Sequence, residues 1–169
     1  MDIKAISNAG PIIHLTIIGK LSLLKELFGK IAIPEAVKIE VIEKGKAFGK
    51  PDAILIEKEI GDWLEIVKNP EIKKEISEKS GIHFGELAVI LIAKELNLPA
   101  LIDDAAARSF AEVMGIEVVG SIGCLIKATK DGLISNSEAL LALEQLSEVM
   151  WLNAQVYERA RKSIQALGK

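Results

Sequence analysis

The sequence has little cysteine and few aromatic side chains. Cys124 is the only cysteine, which rules out an internal disulfide and a cysteine-rich metal site. Aromatic residues make up 4% of the 169 residues, too few for an aromatic platform that stacks bases. The net charge of −3 gives no sign of a broad basic surface for nucleic acid, although a local patch stays open.

Long apolar runs and targeting segments are also missing. The longest apolar run, LAVILIA at residues 87–93, is far too short to cross a bilayer. The opening residues MDIKAISNAG have neither the apolar core nor the basic leader of a secretory signal. We therefore expect a soluble, cytoplasmic protein without membrane contact. Half of the residues are hydrophobic and 27% are charged, which fits one globular domain over residues 1–169.

Several familiar catalytic motifs are absent. The chain has no G-x-x-x-x-G-K-[ST] loop, no G-x-G-x-x-G after a strand and no G-x-S-x-G elbow. A nucleotide-binding Rossmann domain and an α/β-hydrolase therefore lose support. Cys124 lies within a predicted helix with no histidine nearby in sequence, so a thiol nucleophile is not expected.

Short apolar segments alternate with helical patterns along the chain. The predicted strands cover residues 2–7, 31–33, 62–68, 99–103 and 116–120. The predicted helices lie at 11–29 (two segments divided near Gly19), 34–43, 52–60, 70–79, 84–97, 104–115 and 121–132, with a loop at 44–50. This alternation predicts an α/β fold, a three-layer α/β/α sandwich with a mostly parallel central sheet.

The C-terminal residues, about 136–167, predict two more helices around the segment MWLN. The segment LLALEQL and Trp151 carry more apolar side chains than a terminal segment needs. These helices either close one face of the sheet or form the interface of a homodimer, which we expect. Trp63 and Trp151 are expected to anchor packing.

Polar residues follow three of the predicted strands. The strands end at Ser7-Asn8, at Asp103-Asp104 and at Gly120-Ser121. Because ligands of parallel sheets bind beyond the carboxyl ends of the strands, we expect the aspartate pair to lie across from Asn8. Carboxylate oxygens are the ligands that Mg²⁺ and Mn²⁺ prefer.

Two glutamates are further candidates, each with an ordinary alternative. Glu86 opens a helix that is apolar almost all round, where a buried charge is expensive. A first-turn acid favoured by the helix dipole would explain it equally. Glu40 borders an apolar stripe, but Lys44 four residues later makes a common surface pair.

The aspartates and histidines have ordinary explanations as well. Asp103 is placed to N-cap the following helix, and Asp104 to pair with Arg108 four residues later. His14 is expected to be a buried or half-buried packing residue, and His83, near Glu86, to be incidental.

The order of these segments resembles the PIN-domain family, and within it the VapC-like group of small prokaryotic proteins. The matching segments are ISNAGPIIHL, IPEAVKIEV, FGELAVILIAKELN and ALIDDAAARSFAEVMGIEVVGSIGCLIKA, followed by the helical tail with Trp151. They cover nearly the whole chain.

The resemblance implies a metal-dependent ribonuclease, with RNA rather than DNA as substrate. An acidic cluster would hold Mg²⁺ or Mn²⁺, and a metal-bound water would attack a phosphodiester. In many relatives such a protein is the toxin of a toxin–antitoxin pair, and a small antitoxin protein covers the site. The family's acids fall on Asn8, Glu40, Glu86 and Asp103 or Asp104.

The resulting assignments form three groups. The expected catalytic residues are Glu40, Glu86, Asp103 and Asp104. The expected metal ligands are Asn8, Glu86, Asp103 and Asp104. The expected substrate contacts are Ser7, Arg108 and Ser121.

The sequence departs from the family pattern at two positions. Asn8 stands where the family usually carries its first aspartate, and Gly10 replaces a serine. Asn keeps an oxygen of similar reach but removes one negative charge. Two hypotheses follow, a working nuclease and a catalytically degraded member kept for binding a partner protein or RNA. A phosphoryl-transfer receiver built around the aspartate pair is a third, but receivers carry such a pair after their first strand.

Overall fold

Five parallel strands form the central sheet within residues 2–168, the part of the chain that the computed structural model describes. In chain order the strands are β1 (Ile3–Ser7), β2 (Lys30–Pro34), β3 (Leu64–Val67), β4 (Ala100–Leu101) and β5 (Val118–Val119). Their order across the sheet is β3–β2–β1–β4–β5, and every neighbouring pair is parallel. The predicted parallel sheet is confirmed.

β1 lies at the centre of the sheet because its side chains suit burial on both faces. Ala5 and Ile6 are fully buried. Ile6 pairs with Ala32 of β2 on one side and with Ala100 of β4 on the other. The carboxyl end of β1 is therefore flanked by strands on both sides.

The helices follow the predicted alternation. They are α1 (Ala9–Ile17), α2 (Ser22–Phe28), α3 (Glu35–Lys38), α4 (Gly45–Ala47), α5 (Pro51–Glu57), α6 (Lys74–Ser80), α7 (Phe84–Leu96), α8 (Ala105–Val113), α9 (Ser121–Lys130), α10 (Asn136–Val149) and α11 (Ala154–Leu167). A π-helical segment, Ile39–Lys44, joins α3 to α4.

Two sequence predictions around this π-helical segment are wrong. Pro34 is the last residue of β2 and caps α3, instead of lying in the first helical turn. The predicted loop at 44–50 is helical as far as Ala47. The reason lies at Gly45, where a Cβ would lie 2.8 Å from the Cβ of Ala53. This glycine allows two helices to approach closely and does not break the helix.

Helices cover the sheet to give the predicted three-layer α/β/α sandwich. α7 packs on β1, β2 and β4, whereas α2 packs on β2 and α9 packs on β5. The tail helices α10 and α11 pack on α9 and on each other. Trp63 is buried as predicted, but Trp151 is 86% exposed, so the prediction that it anchors packing within the chain is wrong.

The central position of β1 predicts that substitutions in it lower the free energy of unfolding. We expect Ile6→Ala to lower the free energy of unfolding by about 2–5 kcal/mol, because it opens a cavity between the layers. Ile17→Ala, at a side chain that is 50% exposed, should cost about 1 kcal/mol or less. Urea denaturation of both variants checks this, and equal losses would contradict the central role of β1.

Candidate active site

The carboxyl ends of β1, β4 and β5 lie side by side at one edge of the sheet. The backbone N–H of Asn8 donates to the carbonyl oxygen of Leu101 at 2.9 Å, and that of Ile102 donates to Val119 at 3.1 Å. Asn8, Asp104 and Gly120 are the N-cap residues of α1, α8 and α9. The predicted convergence of these three strand ends is therefore present in the structure.

Asn8 has an unpaired buried oxygen at this edge. Its side chain is nearly buried, and Oδ1 is the only buried side-chain oxygen or nitrogen without a hydrogen-bond partner in residues 2–168. Such a group costs about 1–3 kcal/mol when nothing satisfies it. An unpaired oxygen of this kind is free to accept a hydrogen bond from water or to bind a cation.

Gly85 leaves space between Asn8 and Glu40. A Cβ built on Gly85 would lie 4.0 Å from Asn8 Oδ1 and 3.9 Å from Glu40 Oε2. Two oxygens from different parts of the chain thus face the same point beside the first turn of α7. Glu40 reaches it from the π-helical segment, a type of helix that is frequent at functional sites. The surface pair of Glu40 with Lys44 is not formed within residues 2–168.

The pKa of the Glu86 carboxylate is raised from its ordinary value. Burial raises its pKa, the backbone N–H of His83 lowers it, and the charges of Asp104 and Glu40 raise it further. The His83 N–H donates to Glu86 Oε2 at 3.2 Å. The expected first-turn role of Glu86 is therefore present, because its carboxylate caps the helix, and the charges of Asp104 and Glu40 act on it as well.

The two aspartates after β4 send their carboxylates in different directions. Asp104 caps α8, since its Oδ2 accepts from the backbone N–H of Ala107 at 2.9 Å. The prediction that Asp103 is this N-cap is therefore wrong by one residue. Asp104 makes no ion pair with Arg108 within the described residues, because its oxygen is committed to the cap. Asp104 is exposed and contributes to the field at Glu86.

Asp103 is held in a separate network. Its Oδ1 accepts from the backbone N–H of Ser121 at 2.6 Å, and its Oδ2 accepts from Ser121 Oγ at 2.6 Å. Oδ2 also lies 2.7 Å from His14 Nδ1. Gly10 permits this arrangement, because a Cβ there would lie 3.2 Å from Asp103 Cβ. Both oxygens of Asp103 are thus engaged by Ser121 and His14.

The three residues expected to contact the substrate differ in their burial. Ser7 and Ser121 are fully buried, and their hydroxyls donate to the Asn8 carbonyl and to Asp103, so neither is placed to touch a substrate. Arg108 is half-buried and borders the edge, because a Cβ on Gly120 would lie 2.5 Å from its Nη1. Arg108 forms no ion pair with the acids of residues 2–168.

His14 is the site residue whose role the sequence did not reveal. It is half-buried, as expected of a packing residue, but it pairs with Asp103. Its spacing of four residues from Gly10 is the available signal. That spacing puts the ring over the side of α1 that Gly10 leaves open.

Oxygen donors of Asn8, Glu40, Glu86 and Asp104 suit a hard cation such as Mg²⁺ or Mn²⁺. No three His, Cys, Asp or Glu side chains of residues 2–168 are close enough to hold a metal ion together. Mg²⁺ is commonly held by one or two carboxylates with several waters, so this spread is compatible with it. The unpaired oxygen of Asn8 and the space at Gly85 complete a site that fits such an ion.

A family model described as a PIN domain matches residues 4–166. No curated protein and no solved structure shows significant similarity to the chain. None of the helices between residues 2 and 168 combines the length and apolar character needed to cross a membrane.

The raised pKa of Glu86 predicts a pH-dependent stability. A glutamate whose pKa is raised in the folded state stabilises the fold at pH values below its ordinary pKa of 4.5. This stabilisation is lost as the pH rises through the pKa of the folded state. We expect Glu86→Gln, which keeps the cap oxygen, to be at least as stable as wild type at pH 7 in EDTA. The difference should vanish near pH 4. Glu95→Gln, on the same helix, is the control. Urea denaturation at both pH values tests this, and an equal loss at both would contradict it.

The space at Gly85 predicts a separation of stability from metal binding. Gly85→Ala should stabilise α7 by about 0.5–1 kcal/mol, because the new methyl makes only ordinary contacts, the nearest at 3.6 Å to Val37. The methyl occupies the point that Asn8 and Glu40 face, so Mn²⁺ affinity should fall by roughly 10- to 100-fold. Calorimetry and thermal melts measure both effects. Unchanged Mn²⁺ affinity would place the metal elsewhere.

Proposed function

Because the chain belongs to the PIN-domain family, whose fold is of nuclease type, we propose that it is a divalent-metal-dependent ribonuclease that hydrolyses RNA phosphodiesters. The buried, unpaired Oδ1 of Asn8 carries this proposal. It faces the same point as Glu40, beside the first turn of α7, where the half-buried Glu86 lies. A divalent ion would satisfy the oxygen and offset the repulsion among the acids.

Four residues would hold the metal in this proposal, namely Asn8, Glu40, Glu86 and Asp104. When bound, Mg²⁺ or Mn²⁺ supplies charge stabilisation to the phosphate and lowers the pKa of water. Asp103 is left out of this set because both of its oxygens are already engaged. Asp104 is exposed and lies within the field of Glu86, so it is the ligand of the pair.

The protein residues perform distinct tasks around the reacting phosphate. Asn8 orients through its oxygen and cannot accept a proton as a base, since its amide is neutral. The carboxylate of Glu86 accepts a proton more readily than that of an exposed glutamate, because burial raises its pKa. Arg108 offers a half-buried guanidinium without an acid partner in residues 2–168 and would contact the RNA backbone.

A second candidate is a catalytically degraded member that binds RNA or a partner protein. The neutral Asn8 favours it, as does the spread of the acids, of which no three converge within residues 2–168. This candidate predicts weak Mn²⁺ binding and no gain in cleavage when the missing charge is restored.

The biological setting proposed here is a toxin of a toxin–antitoxin pair, which rests on the resemblance of the chain to that group. Self-association as a homodimer has a structural support of its own. Trp151 is 86% exposed and Leu141 is 57% exposed on the C-terminal helical region. A second copy of the chain packed on this region would remove both side chains from water.

The decisive experiment pairs Mn²⁺ calorimetry with RNA cleavage on wild type, Asn8→Asp and Glu86→Gln. We expect wild type to bind and cut, and Glu86→Gln to do neither. Asn8→Asp should bind Mn²⁺ more tightly, yet lose on the order of 2 kcal/mol of stability in EDTA, because it buries a further charge beside Glu40 and Glu86. Glu95→Gln controls for the loss of a carboxylate on α7.

Each outcome of this comparison selects one candidate. Cleavage by a clean wild-type preparation that Glu86→Gln abolishes supports the nuclease. Metal binding by Asn8→Asp alone, without cleavage, selects the degraded binding module.

A further inference from the structure

The network around Asp103 fixes the orientation of His14. Ser121 donates to Asp103 from both its backbone N–H and its hydroxyl, each at 2.6 Å. These two bonds tie the end of β4 to the start of α9 and hold the carboxylate still. His14 Nδ1 lies 2.7 Å from the Oδ2 of this fixed carboxylate. The imidazole ring is therefore positioned by a group that cannot turn away.

The same contact sets the tautomer of His14. A carboxylate can only accept hydrogen bonds, so Nδ1 must carry the proton that bridges to Asp103. In the neutral ring this leaves Nε2 with a free lone pair, an acceptor. The tautomer of a histidine is commonly fixed in this way by the partner of its other nitrogen.

Nε2 of His14 is open to solvent at the edge that holds the candidate active site. The His14 side chain is 21% exposed, whereas that of Asp103 is 8% exposed. Nε2 makes no hydrogen bond with residues 2–168 and is not among their buried unpaired atoms. Helical side chains lean toward the helix N-terminus, which Asn8 caps. His14 Cε1 accordingly lies 3.6 Å from a Cβ built on Gly10.

In its neutral form the ring presents a fixed acceptor at this place, which discriminates between sugars. A phosphate oxygen is itself an acceptor, so the lone pair of Nε2 repels it. The 2′-hydroxyl of ribose is a donor and is what allows a protein to tell RNA from DNA. We propose that His14 Nε2 accepts a hydrogen bond from the 2′-hydroxyl of the nucleotide at the cleaved phosphate, and so makes the site selective for RNA. This inference rests on the proposed nuclease function.

A purely structural clamp is the competing explanation, in which His14 only ties α1 to Asp103. Two substitutions separate the explanations, because each keeps one ring nitrogen's function. His14→Asn retains an N–H donor near the position of Nδ1 and removes the group at Nε2. His14→Gln places an amide oxygen near the position of Nε2 and weakens the contact with Asp103.

The test compares an RNA oligonucleotide with the same oligonucleotide carrying one 2′-deoxy nucleotide at the cleavage position. Wild type should cleave the all-RNA strand about tenfold faster or more. His14→Asn should bring the ratio of the two rates close to one, whereas His14→Gln should keep part of it. Because both rates come from one protein sample, a loss of folded protein cancels from the ratio.

The opposite ranking would overturn the inference. If His14→Asn keeps the wild-type ratio while His14→Gln loses it, His14 is a clamp only. A wild-type ratio close to one also overturns it. The affinities of each protein for the two oligonucleotides are measured by fluorescence anisotropy in EDTA. The ratio of these affinities should follow the same ranking of variants as the ratio of cleavage rates. If wild type cleaves neither strand, the nuclease proposal fails, and the ratio of these two binding constants still decides the role of His14.

Discussion

The hydrogen bond from Asn8 N–H to the carbonyl oxygen of Leu101, 2.9 Å long, is the contact on which the candidate site depends. It extends the pairing of β1 with β4 by one residue beyond the strand. Asn8 is thereby fixed next to the aspartates that follow β4. Because β1 is paired on both sides, this register cannot slip without unpairing two neighbours and exposing Ile6. The location of the chemistry is thus a consequence of sheet packing.

Around this fixed point the acids are kept apart by their own caps. The carboxylate of Glu86 accepts from the His83 N–H, and that of Asp104 accepts from Ala107. Each cap stabilises a charge that would otherwise repel its neighbours. The raised pKa of Glu86 shows that its cap does not fully offset burial. Without a bound cation, the carboxylates of the site therefore repel one another weakly. A bound cation would replace this repulsion by attraction.

Much of this arrangement could be predicted from the sequence, because it follows from periodicity and from strand order. Apolar segments with helices between them indicated the parallel sheet, and the polar strand ends at Asn8 and Asp104 followed from it. The prediction failed at Asp103 and Asp104, where two neighbouring residues of the same type point their carboxylates in different directions. Two consecutive aspartates have the same capping propensity, so the sequence could not show that Asp104 caps α8 while Asp103 turns to Ser121.

The same limit applies to close approaches between helices. Gly45 lies in the predicted loop at 44–50, yet it lets the helical run continue against Ala53. Gly10 looked like a missing serine, yet its bare Cα leaves room for Asp103 and for the ring of His14. In both places the role of the glycine depends on a side chain of another segment, Ala53 in α5 or Asp103 after β4, which the pattern around the glycine does not contain.

The substitution of Asn for Asp at position 8 then has a physical interpretation. With Glu40 and Glu86 already in one field, a further buried charge would raise the cost of the empty site. Asn keeps the oxygen at the same place and removes that cost, at the expense of attraction for a cation. Gly85 also favours a site that depends on shape, because it leaves open the space that a hydrated ion needs. A chain with both features would hold the proposed metal through geometry and water more than through charge, so its affinity should depend on the shape of the site more steeply than on its net charge.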